Sequence, residues 1–193
     1  MDIEYEATFT NINKDEMRAR LKKAGAVLIY PEFLQKRVVF NLPAGHEVKG
    51  GWLRVREEQG NKVTMSLKVV DGGRIEDQKE ICLQVDNFSK AENFLSHIGC
   101  ERKAYQESKR EKWELDGAEV TLDEWPFLEP FIEIEAGSEE KVKQASSLLG
   151  LDYQQALFCS IDTLYSLKYS LSLEVINNKT PEIIFGSNNP FVR

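Results

Sequence analysis

Like charges recur at every second position in several short stretches of this chain, and that pattern constrains the fold more than any other feature. Glu4 and Glu6 alternate with Ile3, Tyr5 and Ala7; Glu133 and Glu135 alternate with Ile132 and Ile134; Arg54 and Arg56 alternate with Leu53 and Val55. Side chains of a β-strand point to opposite faces with period two, so each like-charged pair shares one face of a strand and its apolar neighbours share the other. Charges of one sign held that close repel, which makes each pair a candidate for binding something. Two acidic pairs suggest a divalent cation with oxygen ligands. An arginine pair on the same kind of face suggests a phosphate or carboxylate.

The alternation extends along most of the chain. It predicts strands over residues 2–10, 34–41, 51–59, 62–70, 74–85, 102–115, 118–123 and 131–136. Turn signals fall between them at Pro43-Ala44-Gly45, Gln59-Gly60-Asn61, Asp71-Gly72-Gly73 and Asp116-Gly117. Three segments read as helices. Asn13 or Asn11 caps the first, which carries Met17 and Leu21 and stops at Gly25. Ser89 caps the second, with Phe94, Leu95 and Ile98 on one side and Gly99 at its end. Ser138 caps the third, with Glu139 and Glu140 in the first turn, Val142, Ala145, Leu148 and Leu149 as its apolar stripe, and Gly150 closing it. A fourth helix is expected within residues 153–168. The order is strand, helix, three strands, twice over, an echo that suggests two similar halves without any residue-level repeat.

Eight antiparallel strands with one apolar and one charged face have two solutions. An open sheet buries its apolar face under helices and leaves the charged face in water. Alternatively the sheet curls shut, so that the charged face lines an interior large enough for a small ligand. Alternation by itself slightly favours the open sheet. The charge inventory pulls toward closure: Glu4, Glu6, Glu76, Glu80, Asp123, Glu133 and Glu135 share polar faces with Arg54, Arg56, Lys62, Lys68, Arg110 and Lys112, where a merely solvated face would carry more Ser, Thr, Asn and Gln.

Size and charge narrow the class. A chain of 193 residues suffices for one domain with a sizeable core. A net charge of -7 argues against nucleic acid or an anionic membrane as partner, since both select basic surfaces. No apolar run is long enough for a membrane span, and the acidic start resembles neither a signal nor a transit peptide. Cys82, Cys100 and Cys159 are odd in number and widely spaced, which fits a reduced, cytoplasmic setting and buried apolar roles. His46 and His97 give a histidine-based triad little support. The Gly50-Gly51 and Gly72-Gly73 pairs lead into no helix and read as turns. Trp125-Pro126 and Phe127, between two charged strands, read as core or rim.

The charged strands, taken in order, resemble the CYTH domain family, also called triphosphate tunnel metalloenzymes, which includes class IV adenylate cyclases, thiamine triphosphatases and inorganic tripolyphosphatases. Glu4-Tyr5-Glu6-Ala7-Thr8 is similar to the family's opening Glu-x-Glu-x-Lys strand, and Trp52-Leu53-Arg54-Val55-Arg56 to its Arg-x-Arg strand. Met65-Ser66-Leu67-Lys68, Lys79-Glu80-Ile81 and Ser108-Lys109-Arg110 follow. Thr121-Leu122-Asp123 and Phe131-Ile132-Glu133-Ile134-Glu135 close the set. The resemblance implies an α+β fold built on an eight-stranded antiparallel β-barrel, a tunnel with flanking helices. It further implies Glu4, Glu6, Asp123, Glu133 and Glu135 as ligands of Mg or Mn, and Arg54, Arg56, Lys68 and Arg110 as phosphate ligands. Glu80 would tie down basic residues or a metal-bound water, and Glu4, Glu6, Glu80, Glu133 and Glu135 form the catalytic set.

The implied activity is divalent-metal-dependent hydrolysis of a triphosphate: inorganic tripolyphosphate, a nucleoside triphosphate or thiamine triphosphate. The alternatives are a class IV-like adenylate cyclase, making cyclic AMP and pyrophosphate from ATP, and a non-catalytic polyphosphate- or nucleotide-binding module. One position departs from the motif: Thr8 stands where the family has Lys. Lys36, Arg37 or Lys62 could replace the missing charge. Residues 1–170 are expected to form the tunnel domain. Residues 171–193 are expected to form a partly irregular tail, in which Ile183-Ile184-Phe185 adds a packed piece and which serves as a tunnel lid or as the contact of a homodimer.

Overall fold

The computed structural model describes residues 1–192. Its centre is a ring of antiparallel strands: β1 (Asp2–Ile3), β2 (Tyr5–Phe9), β3 (Val27–Asn41), β4 (Gly51–Glu57), β5 (Val63–Val70), β6 (Gln78–Val85), β7 (Glu101–Leu115), β8 (Ala118–Glu124) and β9 (Phe131–Ala136). They pair in the order β1-β6-β5-β4-β3-β7-β8-β9-β2. The path begins and ends on the same stretch of chain. β1 and β2 are two halves of the single strand expected over residues 2–10, interrupted at Glu4, so nine ring segments stand for the eight strands the alternation predicts.

That interruption closes the sheet. The Glu6 amide donates back to the Glu4 carbonyl at 3.0 Å, bending the backbone between the halves, while the Glu4 amide donates to the Gln78 carbonyl at 3.0 Å. The first half is thereby left on β6 and the second swings to β9, with Glu6 opposite Glu135 and Thr8 opposite Glu133. The Gln78 side chain ties the corner by donating to the Glu6 carbonyl at 2.7 Å. Closed in this way, the ring leaves few bare strand edges, and the charged face becomes an interior.

The apolar face points outward and is covered by helices. α1 (Lys14–Lys23) and α3 (Glu139–Leu148) lay Met17, Leu21, Val142 and Ala145 over Ala7, Phe9, Trp113, Val120, Leu122, Ile132 and Ile134. α2 (Phe88–His97) lays Ala91 and Leu95 over Val38, Phe40, Val55 and Val63 on the opposite flank. Of the two asparagines open as caps of α1, Asn13 is the one used, and Ser138 caps α3 as expected; they accept from the Glu16 and Lys141 amides. α2 is capped by Asn87, not Ser89: Asn87 Oδ1 accepts from the Lys90 amide at 2.8 Å, and Ser89 lies inside the helix. Of the three apolar residues grouped on one side of α2, Leu95 is buried while Phe94 and Ile98 are exposed, as is Leu148 of the α3 stripe. The Asp116-Gly117 hairpin joins β7 to β8 with φ of 51° and 79°, a two-residue turn that demands left-handed backbone at both positions.

Other boundaries shift. β3 begins seven residues earlier than the alternation suggests, because 27–34 pairs with β7 along a stretch whose side chains are exposed. β6 starts only at Gln78, and Ile75–Asp77 forms a short 3-10 turn, which puts Glu76 outside the ring against Arg74. The helix expected within 153–168 is a 3-10 turn at Tyr153–Gln155 followed by α4 (Ile161–Tyr169). After it come α5 (Leu173–Asn178) and β10 (Glu182–Ile183), the latter pairing parallel with β7 at Tyr105 and Gln106, where β8 does not reach. Ile176, Ile183 and Phe191 pack with Trp125, Phe131, Leu164 and Tyr165 into a third apolar cluster. Among the described residues no helix is long and apolar enough to cross a membrane.

Candidate active site

Cross-strand register sets the interior wall. Arg37 faces Arg56, Val39 faces Arg54, Arg54 faces Ser66, Trp52 faces Lys68, Lys68 faces Glu80, and Arg110 faces Asp123. The basic side chains come from β3, β4, β5 and β7, and most of the acidic ones from β1–β2, β8 and β9. Charges of opposite sign therefore meet across the lumen as well as along the wall.

A cavity inside the ring is bordered by Glu6, Arg54, Arg56, Lys68, Arg110 and Glu133. The other residues singled out from the sequence share that face without bordering the cavity. Glu80 accepts from Arg54 Nη2 at 3.0 Å, and Glu4 Oε2 lies 2.7 Å from Lys68 Nζ. Asp123, fully buried, receives a two-pronged grip from Arg110 at 2.7 Å on each oxygen and a further bond from Thr121 Oγ1 at 2.8 Å. Arg110 also donates to Glu133 Oε2 at 2.5 Å. Glu135 stands directly opposite Glu6. Of the other charges grouped on these faces, Lys112 pairs with Glu119, and Lys62 is exposed beside Glu58.

Crowding shifts the protonation of these groups. Burial first, then the hydrogen bond with Glu80, pushes Glu4 up to about 8. Glu80 goes the other way: despite its own burial it is held well below the usual carboxylate range by the bond from Glu4 and by Arg54 and Lys68. Burial and the neighbouring Glu6 push Glu133 to about 8 and Glu135 to about 7. Burial disfavours the Arg110 charge, yet Asp123 and Glu133 more than offset it and raise that group well above its ordinary value. Lys68 is likewise raised against its burial by Glu6 and Glu4. Burial and Arg54 bring Arg56 down to about 10.

The carboxylates suit a hard divalent cation in donor chemistry, being oxygen ligands only. Among the described residues no three Asp, Glu, His or Cys side chains stand together as a ready ligand group. The reason is visible in the pairings: Asp123 and Glu133 are turned to Arg110, and Glu4 to Lys68. Glu6 and Glu135 directly oppose each other, and among the described residues neither forms an ion pair. Two unpaired like charges face to face are destabilising unless a cation lies near them.

Several groups at the cavity escape a reading of charged alternation alone. Trp52, Lys103 and Gln106 border it from the strands, and Cys159, Ser160, Asp162 and Asn177 from the C-terminal segments. Trp125 borders it too, buried, with the Arg37 guanidinium 4.3 Å from its ring centre. The two histidines lie outside this wall and are exposed.

A closed antiparallel barrel with helices outside and a lumen of mixed charge is the architecture of a tunnel protein. The CYTH domain model matches residues 8–157, and the chain belongs to that family. A candidate adenylate cyclase from Vibrio parahaemolyticus superposes with a TM-score of 0.73 at 15% identity, over 86% of this chain and 98% of that one. A conserved hypothetical protein from Pyrococcus furiosus gives 0.69 at 20% identity, over 83% and 99%. A candidate adenylyl cyclase from Hippeastrum, described as having a dominant triphosphatase activity, gives 0.56 at 14% identity, over 88% and 98%. No curated protein matches the chain.

Proposed function

We propose that this protein hydrolyses a triphosphate inside the tunnel with the help of a divalent cation, Mg or Mn. The observation that carries the reading is the convergence of Arg54, Arg56, Lys68 and Arg110 with Glu6 and Glu133 on one enclosed cavity. A triphosphate carries about four negative charges near neutral pH, and guanidinium groups in a confined site bind it through charge-assisted, often forked, hydrogen bonds. The carboxylates alone would repel such a ligand. Glu6 and Glu135, with Glu4, Asp123 and Glu133, would hold the cation, which supplies charge neutralisation on the phosphate oxygens.

The chain's own groups account for the rest. Arg54, Arg56 and Lys68 align the phosphate chain, and Arg110 stabilises charge building on the leaving phosphate. Glu133 Oε1, the oxygen that Arg110 leaves free, accepts the proton of the attacking water. Water adds to the terminal phosphorus, the bond to the bridging oxygen breaks, and the diphosphate-bearing fragment departs. The family likeness and the fold shared with the Hippeastrum protein support the reading.

Incubation with tripolyphosphate, ATP and thiamine triphosphate, each with Mg or Mn, tests it through the products. Release of orthophosphate from any of them is the expected result. Cyclic AMP and pyrophosphate from ATP would instead identify a cyclase, and a thermal shift without turnover a binding module. Glu133→Gln should abolish turnover more than binding, whereas Arg54→Ala should weaken binding itself. Unchanged affinity in both Arg54→Ala and Arg56→Ala would refute the placement of the phosphates.

A further inference from the structure

Each tunnel arginine except Arg37 has an acidic partner. Arg54 has Glu80, Arg56 has Glu58, and Arg110 has Asp123 and Glu133; among the described residues Arg37 has none. Arg37 is nevertheless 94% removed from solvent, with a relative exposure of 6%, and it stands directly opposite Arg56 on the neighbouring strand. Its Nη2 donates to Gln35 Oε1 at 2.9 Å and to Ser108 Oγ at 2.7 Å. Trp125 covers one face of the guanidinium at 4.3 Å. These neutral contacts orient the group and leave its charge unbalanced. Burial, then the nearness of Arg54, Arg56 and Arg110, bring its pKa well below the usual arginine value, and Asp123, held by Arg110, offsets this only in part. A buried charge without a counter-ion is among the costliest things a fold can hold.

The free hydrogen-bond capacity points the same way. The Nε atoms of Arg37, Arg54 and Arg56 are all buried and make no hydrogen bond among the described residues, and all three residues border the cavity. Thr8 is buried, tied through its backbone to Leu157 at 3.0 and 2.9 Å, and too short to carry charge into the lumen. Lys36 and Lys62, the other substitutes open from the sequence, are exposed.

We propose that Arg37 is an anion-binding residue which, with Arg54 and Arg56, forms a three-arginine cradle for an unesterified terminal phosphoryl group, supplying from β3 the charge that position 8 lacks. The proposal rests on the triphosphate reading. It goes further in naming which phosphate is selected. A free terminal phosphoryl offers three peripheral oxygens and up to two charges to three N–H edges, whereas an esterified or internal one offers two oxygens and one charge.

The test compares wild type with Arg37→Met by thermal melting and calorimetric titration, using inorganic tripolyphosphate and, as the ligand esterified at both ends, diadenosine triphosphate. Without anion, Arg37→Met should melt higher than wild type: the unbalanced charge is gone, and Gln35 and Ser108 still bond each other at 3.2 Å. It should bind tripolyphosphate roughly 30-fold more weakly, which is about 2 kcal/mol at 1.4 kcal/mol per decade. Diadenosine triphosphate affinity should hardly change. Adding Thr8→Lys to Arg37→Met should recover most of the lost affinity. An Arg37→Met chain that melts lower or fails to fold, or that keeps tripolyphosphate affinity within about threefold of wild type, overturns the cradle. Wild-type protein that binds no tripolyphosphate at all overturns the functional reading together with it.

Discussion

Arg110→Met is the substitution whose consequence follows most directly from the geometry. Asp123 has no exposed side-chain surface and depends on Arg110 for two bonds of 2.7 Å; without them it keeps only the Thr121 hydroxyl at 2.8 Å. Methionine fills much of the same volume and leaves the aspartate stranded. Removing one member of a buried ion pair costs about 3–5 kcal/mol, because the surviving charge cannot regain water. For a domain of this size each kcal/mol moves the melting temperature by about 2–4 °C, so a fall of roughly 6–20 °C is expected. Thermal unfolding followed by circular dichroism at pH 7, in anion-poor buffer, measures it. The double variant Arg110→Met/Asp123→Asn removes the stranded charge and should regain at least half of the loss. A single variant melting within about 2 °C of wild type, or a double variant no better than the single, would show that the pair is solvated and that the lumen is not the enclosed site described.

Stability should also depend on pH with a definite sign. Glu4, Glu133 and Glu135 are raised from 4.5 to about 8, 8 and 7, so the folded chain binds more protons than the unfolded one between those limits. Melting temperature should therefore fall as pH rises from about 5 to 8, and Glu133→Gln combined with Glu135→Gln should flatten the slope; a rising curve refutes the crowding. Adding Mg to the ligand-free protein at pH 8 should raise the melting temperature, and Glu6→Gln with Glu135→Gln should remove most of that gain. Ile183, in the C-terminal tail, is fully buried against Trp125, Phe131 and Tyr165, so Ile183→Ala should cost about 2–5 kcal/mol in urea unfolding. A cost under about 1 kcal/mol would mean that the tail packs only loosely on the barrel end.

Much of the barrel wall is legible in the residues themselves. Period two assigns Glu4, Glu6, Arg54, Arg56, Lys68, Arg110, Glu133 and Glu135 to faces, because a strand leaves a side chain only two directions to point. The Asp116-Gly117 turn and the Asn13 and Ser138 caps are equally local, since each depends on a few adjacent backbone groups. The cap of α2 is not decided at that range: Ser89 has a capping side chain, yet Asn87, two residues earlier, is the one that caps.

Alternation says nothing about what lies across the lumen. Closure depends on one strand sharing its two halves between β6 and β9, a long-range pairing that no short pattern encodes. The same applies to which acid meets which base: Arg110 takes both Asp123 and Glu133, and Glu6 and Glu135 face each other without an ion pair among the described residues. Arg37 shows the difference most clearly. Its place on β3 is plain from the chain, but its position among three other arginines, under Trp125 and with no ion pair among the described residues, exists only once the ring has closed. Short-range order reads out direction; the energy of a charge depends on every neighbour that folding brings near, and those neighbours come from distant parts of the chain.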